Sequence, residues 1–131
     1  MAGITDLQEL LKSMAPELKA GEYVFCTVDG ELDKYVGLSP IATFSESEGL
    51  TLVLSKDNAD RGNLAYEATF RMITLTVHSS LEAVGLTAAI ASKLAEQGIS
   101  ANVIAAYYHD HVFVQSEKAD EALVALKSFS S

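Results

Sequence analysis

Hydrophobic and polar residues alternate along this chain in short runs of two periods. Leu7, Leu10, Leu11 and Met14 share one face at helical spacing after the hydroxyl of Thr5, which predicts a short amphipathic helix stopping near Pro16. Glu22–Val28 is rich in β-formers and bounded by Gly21 and Asp29-Gly30, so it reads as a strand. Ile41–Phe44 and Leu50–Leu54 flank Ser45-Glu46-Ser47-Glu48-Gly49 and predict a hairpin, after which Lys56–Gly62 starts a short helix. Further on, Tyr66–Val77 predicts a long strand, with Ile73, Leu75 and Val77 on one face and Thr74 and Thr76 on the other. The stripe Leu86, Ile90 and Leu94 marks the buried face of a helix over Val84–Gln97, with Gly98 placed to end it. Ile99–Tyr107 and Val112–Val114 predict a second hairpin around Tyr108-His109-Asp110, and Asp120–Phe129 a last helix burying Leu123, Val124, Leu126 and Phe129.

The element order repeats. Val36-Gly37-Leu38-Ser39 returns as Val84-Gly85-Leu86-Thr87, and Leu52-Val53-Leu54 followed by Ala59-Asp60 returns as Val112-Phe113-Val114 followed by Ala119-Asp120. The second pair lies further apart because a long helix sits in the second half, whereas Pro40 forbids one in the first. We expect a degenerate duplication, with halves at 1–66 and 67–131. Two cores of about 65 residues would each be marginal, so the halves should share one unit.

Junction and hairpin carry a family resemblance. The strand Thr69–Val77, Gly85 at a helix start, Leu94 before Gly98-Ile99, and Asn102 resemble the ACT family of small-molecule-sensing domains. Leu81–Leu86 with Tyr108–Val114, together with Glu46–Leu52, resembles more narrowly an uncharacterised bacterial ACT-related family. The second half departs from the Asp-Arg-Pro-Gly of many ACT junctions, having Ser79-Ser80-Leu81-Glu82-Ala83-Val84-Gly85. The chain ends on a helix, so any fourth strand of this half must come from the first half or from a rearrangement. The resemblance implies an α+β, ferredoxin-like tandem of two βαββ-type halves, antiparallel sheets with helices packed on one face. It further implies a regulatory role without catalysis, a side-by-side homodimer, and a ligand near Gly85.

Charge narrows the partners. Eighteen acidic against nine basic residues give a net charge of −9, and the basic residues are scattered singly, which excludes nucleic acid and anionic membrane surfaces. Cys26, alone in the run Tyr23–Val28, reads as a buried small hydrophobe. No apolar stretch reaches the ~18 residues of a spanning helix, and no signal peptide is visible, so a cytoplasmic protein is expected.

The split arrangement gathers one end of the first strand, the hairpin turn and the long helix's N-terminus at one edge. Candidate ligand-binding residues there are Ser79, Ser80, Glu82, Val84, Gly85, Leu86, Thr87, Asn102, His109, Asp110 and His111. Open N–H groups suit a carboxylate, while Asp110, Glu82 or Glu48 suits an ammonium group, so an amino acid fits. Against this, Ser79 and Glu82 have capping-box spacing, Gly85 would also serve close helix–sheet packing, and Asp110 can shape the turn. His78, His109 and His111 offer three nitrogens to a metal in a transport-associated or metal-handling accessory, but hydrogen-bonded histidines on a polar hairpin are commoner, and we assign no metal or other cofactor. No nucleophile elbow, phosphate loop or zinc-protease helix is present, and the acidic turn Glu46-Ser47-Glu48 reads as solvated.

Overall fold

A computed structural model describes residues 6–77 and 84–130. It divides into two compact units, one of Gly21–Phe70, the other of residues up to Ala20 together with those from Arg71 onwards. The chain therefore leaves the second unit's sheet after twenty residues and re-enters it fifty residues later.

In the discontinuous unit, α1 (Leu7–Ser13) is capped by Asp6, whose carboxylate accepts from Glu9 N at 3.0 Å. The cap is thus one residue beyond the hydroxyl expected from the sequence; Thr5 lies outside the described residues. Leu10 and the C-cap Met14 are buried, as the helical spacing required. β1 (Pro16–Leu18) then pairs antiparallel with β5 (Phe70–Leu75), setting Pro16 opposite Leu75 and Leu18 opposite Ile73. This short strand, absent from the sequence reading, is the fourth strand that the second half lacked. The unit's strand order is β1, β5, β7 (Asp110–Gln115), β6 (Asn102–Ala105), so β7 lies between the other two as the split arrangement demands.

α3 (Leu86–Glu96) and α4 (Ala119–Lys127) cover the sheet. Leu86, Ile90 and Leu94 enter one core with Leu10, Met14, Ile73, Leu75, Val112, Val114 and Leu126. Each such side chain contributes about 1.5–3 kcal/mol by leaving water. α3 ends in a Schellman motif: Gly98 N donates to Ala95 O and Ile99 N to Leu94 O, both at 2.9 Å, with Gly98 at φ +71°. That motif takes the amide of Ile99, which is why the next strand begins at Asn102 and not at Ile99. On α4 the buried positions are Ala119, Ala122, Ala125 and Leu126, with Leu123 and Phe129 packed at the margin. Val124, expected inside, is 70% exposed. The helix turns Leu126 and the alanines to the sheet, which carries Val124 to the far side.

In the Gly21–Phe70 unit, β4 (Gly49–Ser55) lies between β2 (Tyr23–Val28) and β3 (Ala42–Glu46). Val24, Cys26, Leu50, Leu52, Leu54 and Ala59 form its core, and the Cys26 thiol is raised by burial. Ser55 caps α2 (Lys56–Arg61), accepting from Asn58 N at 3.1 Å. Tyr66 OH donates to Asp60 Oδ1 at 2.7 Å, while Lys56 Nζ reaches Asp60 Oδ2 at 2.8 Å. This contact ties the segment after α2 back onto the helix, so the strand predicted from Tyr66 begins at Phe70. Where the second half has α3, this half has only single 3-10 turns at Leu32–Lys34 and Val36–Leu38, ending at a left-handed Ser39 before Pro40.

The duplication expected from the sequence is visible in the burial. Residues 51–60 and 111–120 share one pattern of buried and exposed positions throughout, strand into helix. The other repeated phrase differs in backbone: Gly85 is left-handed at φ +95°, Gly37 is not. Gly98→Ala should lower the unfolding free energy by about 1–2 kcal/mol in urea denaturation, since its added methyl meets nothing within 4 Å and only the left-handed backbone opposes it. Gly37→Ala, equally uncrowded and without a positive φ, should leave stability within about 0.5 kcal/mol of the original.

Candidate functional site

The end of β5 and the β6–β7 hairpin are joined by a side chain. His109 Nδ1 donates to the carbonyl of Val77 at 3.3 Å, tying the hairpin to the chain just beyond the end of β5. Asp110 is not in the turn. It is the first residue of β7, opposite Ala105, and only 8% exposed. The turn occupies the residues before it, where Tyr107 and Tyr108 stack edge to face at 5.0 Å between centroids. His111, next along, is half-buried with Nδ1 2.9 Å from Thr74 Oγ1. That contact explains why Thr74, expected on a polar face, is buried. Burial, then the neighbouring His109 charge, holds the His111 imidazole below its usual range, with Asp110 pulling the other way.

Gly85 is the N-cap of α3, at φ +95°, and as a glycine it has no side chain with which to cap the helix. The first helical bond runs from Ala89 N to Gly85 O at 2.9 Å. The Ser79–Glu82 capping box expected from the sequence lies outside the described residues. A Cβ at Gly85 would stand 3.1 Å from Leu7 Cδ2, so α1 packs against this glycine on the side where a side chain would project. Leu86 is buried in the core, while Val84 and Thr87 are exposed. His78, Ser79, Ser80 and Glu82 lie outside the described residues. Asn102 is not at this edge: it pairs with Phe113 at the far end of β6, its Nδ2 donating to the Phe113 carbonyl at 3.3 Å. Thus His109 and Asp110 stand together at the hairpin, with His111 following on β7.

The Nδ1 atoms of His109 and His111 are engaged with different partners on β5 and just beyond it. Among the described residues, no three His, Cys, Asp or Glu side chains converge as a metal ion would require.

In the first half a concavity lies between the end of β2 and its own hairpin. A groove of about 380 Å³ is lined by Asp29, Glu31, Thr43, Ser45, Glu46 and Glu48 among others. Tyr35 OH donates to the carbonyl of Asp29, and Thr51 Oγ1 to Glu46 Oε1 at 2.5 Å, which fixes the groove's two walls. The acidic turn Glu46-Ser47-Glu48 is exposed, as the sequence reading expected, and it also borders this groove. The signal available was the repeat itself, which sets Glu46–Gly49 in the position of Ala106–His109.

Two models described as ACT domain match the chain in tandem, over residues 2–71 and 67–128. The chain belongs to the ACT domain family. A solved structure from Vibrio cholerae, a protein of unknown function described as a possible transport protein, is 64% identical over 99% of this chain and 100% of its own, with a TM-score of 0.89. An Agrobacterium tumefaciens protein is 14% identical over 88% of this chain and 87% of its own, TM-score 0.67. The ligand-free regulatory subunit of aspartate kinase from Thermus thermophilus is 10% identical over 92% and 100%, TM-score 0.62. These last two show a shared fold. No curated protein matches. ACT domains are regulatory and bind small-molecule ligands. No described helix is long and apolar enough to cross a membrane.

His111 gives this edge a pH signature. Its folded-state affinity for protons is below that of the unfolded chain, so the stability it confers is present above the unfolded value near 6.5 and is lost as pH falls through the lower folded value. Urea unfolding between about pH 7.5 and 5 should show falling stability, and His111→Asn should flatten that slope.

Proposed function

We propose that this ACT protein is a cytoplasmic, homodimeric regulatory sensor that binds an amino acid at the second-half edge and performs no catalysis. The observation that carries the reading is the His109–Val77 bond, which draws the hairpin, with the buried Asp110 opening β7, towards the end of β5. A carboxylate of that exposure suits an ammonium group better than a solvated one, because little water competes for it. The α3 N-terminus, whose N-cap is a glycine, supplies backbone N–H groups for the ligand carboxylate. Ser79, Ser80 and Glu82, with Val84 and Thr87, complete the proposed contacts, while Gly85 keeps the helix start in its left-handed form. Asn102 acts only by holding β6 to β7.

A second reading follows from the Vibrio cholerae relative, described as a possible transport protein: the same edge would present a bound solute to a transport system. Both readings need ligand binding, and they part on whether the partner is an enzyme or a membrane assembly.

Thermal denaturation with each proteinogenic amino acid, and separately with zinc with and without chelator, tests the site. One amino acid should raise Tm by roughly 10 °C at a hundredfold excess over Kd. Asp110→Asn and Thr87→Val should each remove most of that rise. A response to zinc alone, abolished by chelator, would replace the amino acid with a metal, and an undiminished response in both variants would move the site elsewhere.

A further inference from the structure

β3 is an edge strand whose accessible side is unusually open. Thr43–Glu46 are all exposed, Phe44 at 71%, and Ile41 just before the strand is 50% exposed. The direction of its hydrogen bonds follows from the hairpin. Glu46 faces Gly49 across the two-residue turn Ser47-Glu48, which makes that a hydrogen-bonded pair, and the alternation makes Phe44–Thr51 and Ala42–Val53 bonded pairs too. The other side of β4 agrees in phase: Lys56 N donates to Glu22 O, so Leu54, Leu52 and Leu50 turn to β2, leaving Val53, Thr51 and Gly49 for β3. Thr43 and Ser45 therefore turn their N–H and C=O groups outwards. Ile41 N also donates to Val53 O, at 2.8 Å, so Ile41 and Ala42 share one partner in a β-bulge that closes one end of the edge.

Edges of this kind are normally blocked by lysine, proline or an inward charge. Here Pro40 and the bulge guard only the start. Between Lys34 and Lys56 there is no Lys or Arg at all. At the open end, Thr43, Ser45 and Glu46 also line the groove of about 380 Å³, with Asp29, Glu31 and Glu48, and none of the lining residues is basic.

We propose that β3 is a docking edge for an extended, basic segment of a second protein. The segment adds as a strand bonded to Thr43 and Ser45. Its alternate side chains fall on opposite faces. One set, apolar, packs on Phe44, and the other set, Lys or Arg, reaches the acidic residues that line the groove. A second copy of this chain fits less well. Pairing β3 with β3 brings further carboxylates and no cation, between chains that each carry a net charge of −9. The inference goes beyond the sensor reading and uses none of the residues of its site.

The test uses the full chain and a fluorescent peptide of alternating lysine and valine. Two controls accompany it, one with the same residues arranged in blocks and one with glutamate for lysine. The alternating peptide should bind by anisotropy and slow the amide exchange of Thr43 and Ser45. Thr43→Pro removes an outward donor without touching a ladder bond, and should weaken binding by about tenfold or more. Phe44→Ser and the pair Glu46→Lys with Glu48→Lys should each do the same, with melting temperatures and the amino-acid response kept as in the parent. No binding by the alternating peptide, equal binding by the block peptide, or full binding by Thr43→Pro would overturn the proposal. So would protection of Thr43 and Ser45 that rises with protein concentration without peptide, which would assign the edge to a second copy.

Discussion

The pairing of β1 with β5 is the constraint on which the second half depends. Only three residues of β1 join the ladder, yet they are held at both ends. Thr76 Oγ1 donates to Ala15 O at 2.9 Å, Lys19 N to Met72 O at 2.9 Å, and Arg71 Nη2 to Lys19 O at 2.9 Å. Ala15 takes a left-handed turn at φ +43° to bring the strand into line directly after α1. Leu10 and Met14 then close the core over Ile73, Leu75 and Ile90. Without this segment β5 would lose its neighbour on one side along Ile73–Leu75, and the core would lose two of its fully buried side chains, Leu10 and Met14.

The two halves show how one pattern is kept or lost. Strand β4 into α2 and strand β7 into α4 keep the same burial, because a strand with one face on a core and a helix folding back over it leaves little choice of which positions are apolar. The connection between first strand and hairpin is free of that requirement, and there the halves diverge. In one, Gly85 opens an eleven-residue helix that buries three large side chains. In the other, Pro40 limits the chain to 3-10 turns, and Leu32, Val36 and Ile41 remain exposed. The half without the helix is the half with the open strand edge and the acidic groove.

Polar side chains at the second-half edge are fixed mainly by the strands around them. His109 reaches across to the carbonyl of Val77, and His111 to Thr74 on the neighbouring strand. Two histidines at i and i+2 thus do unrelated things, one anchoring the hairpin and one completing a buried polar pair. Burial of Asp110 follows from its entry into β7 one residue earlier than turn chemistry suggests, since Ala105 opposite it continues the ladder.

The sequence by itself determined the repeated element order, the α3 stripe Leu86, Ile90, Leu94, the stop at Gly98, the buried Cys26, and the failure of the first half to form a long helix before Pro40. Each is a matter of local period, backbone freedom or a missing donor, and such constraints act within a few residues. Family resemblance rested on the same local marks. Only the tertiary structure decided that β1 completes the second half's sheet, that Val124 faces out and Thr74 in, that Asn102 stands apart from the hairpin edge, and that Glu46 and Glu48 border a groove. Those outcomes depend on which strand lies beside which. Strand neighbours are chosen by register and burial between segments distant in the chain, where no local period reaches.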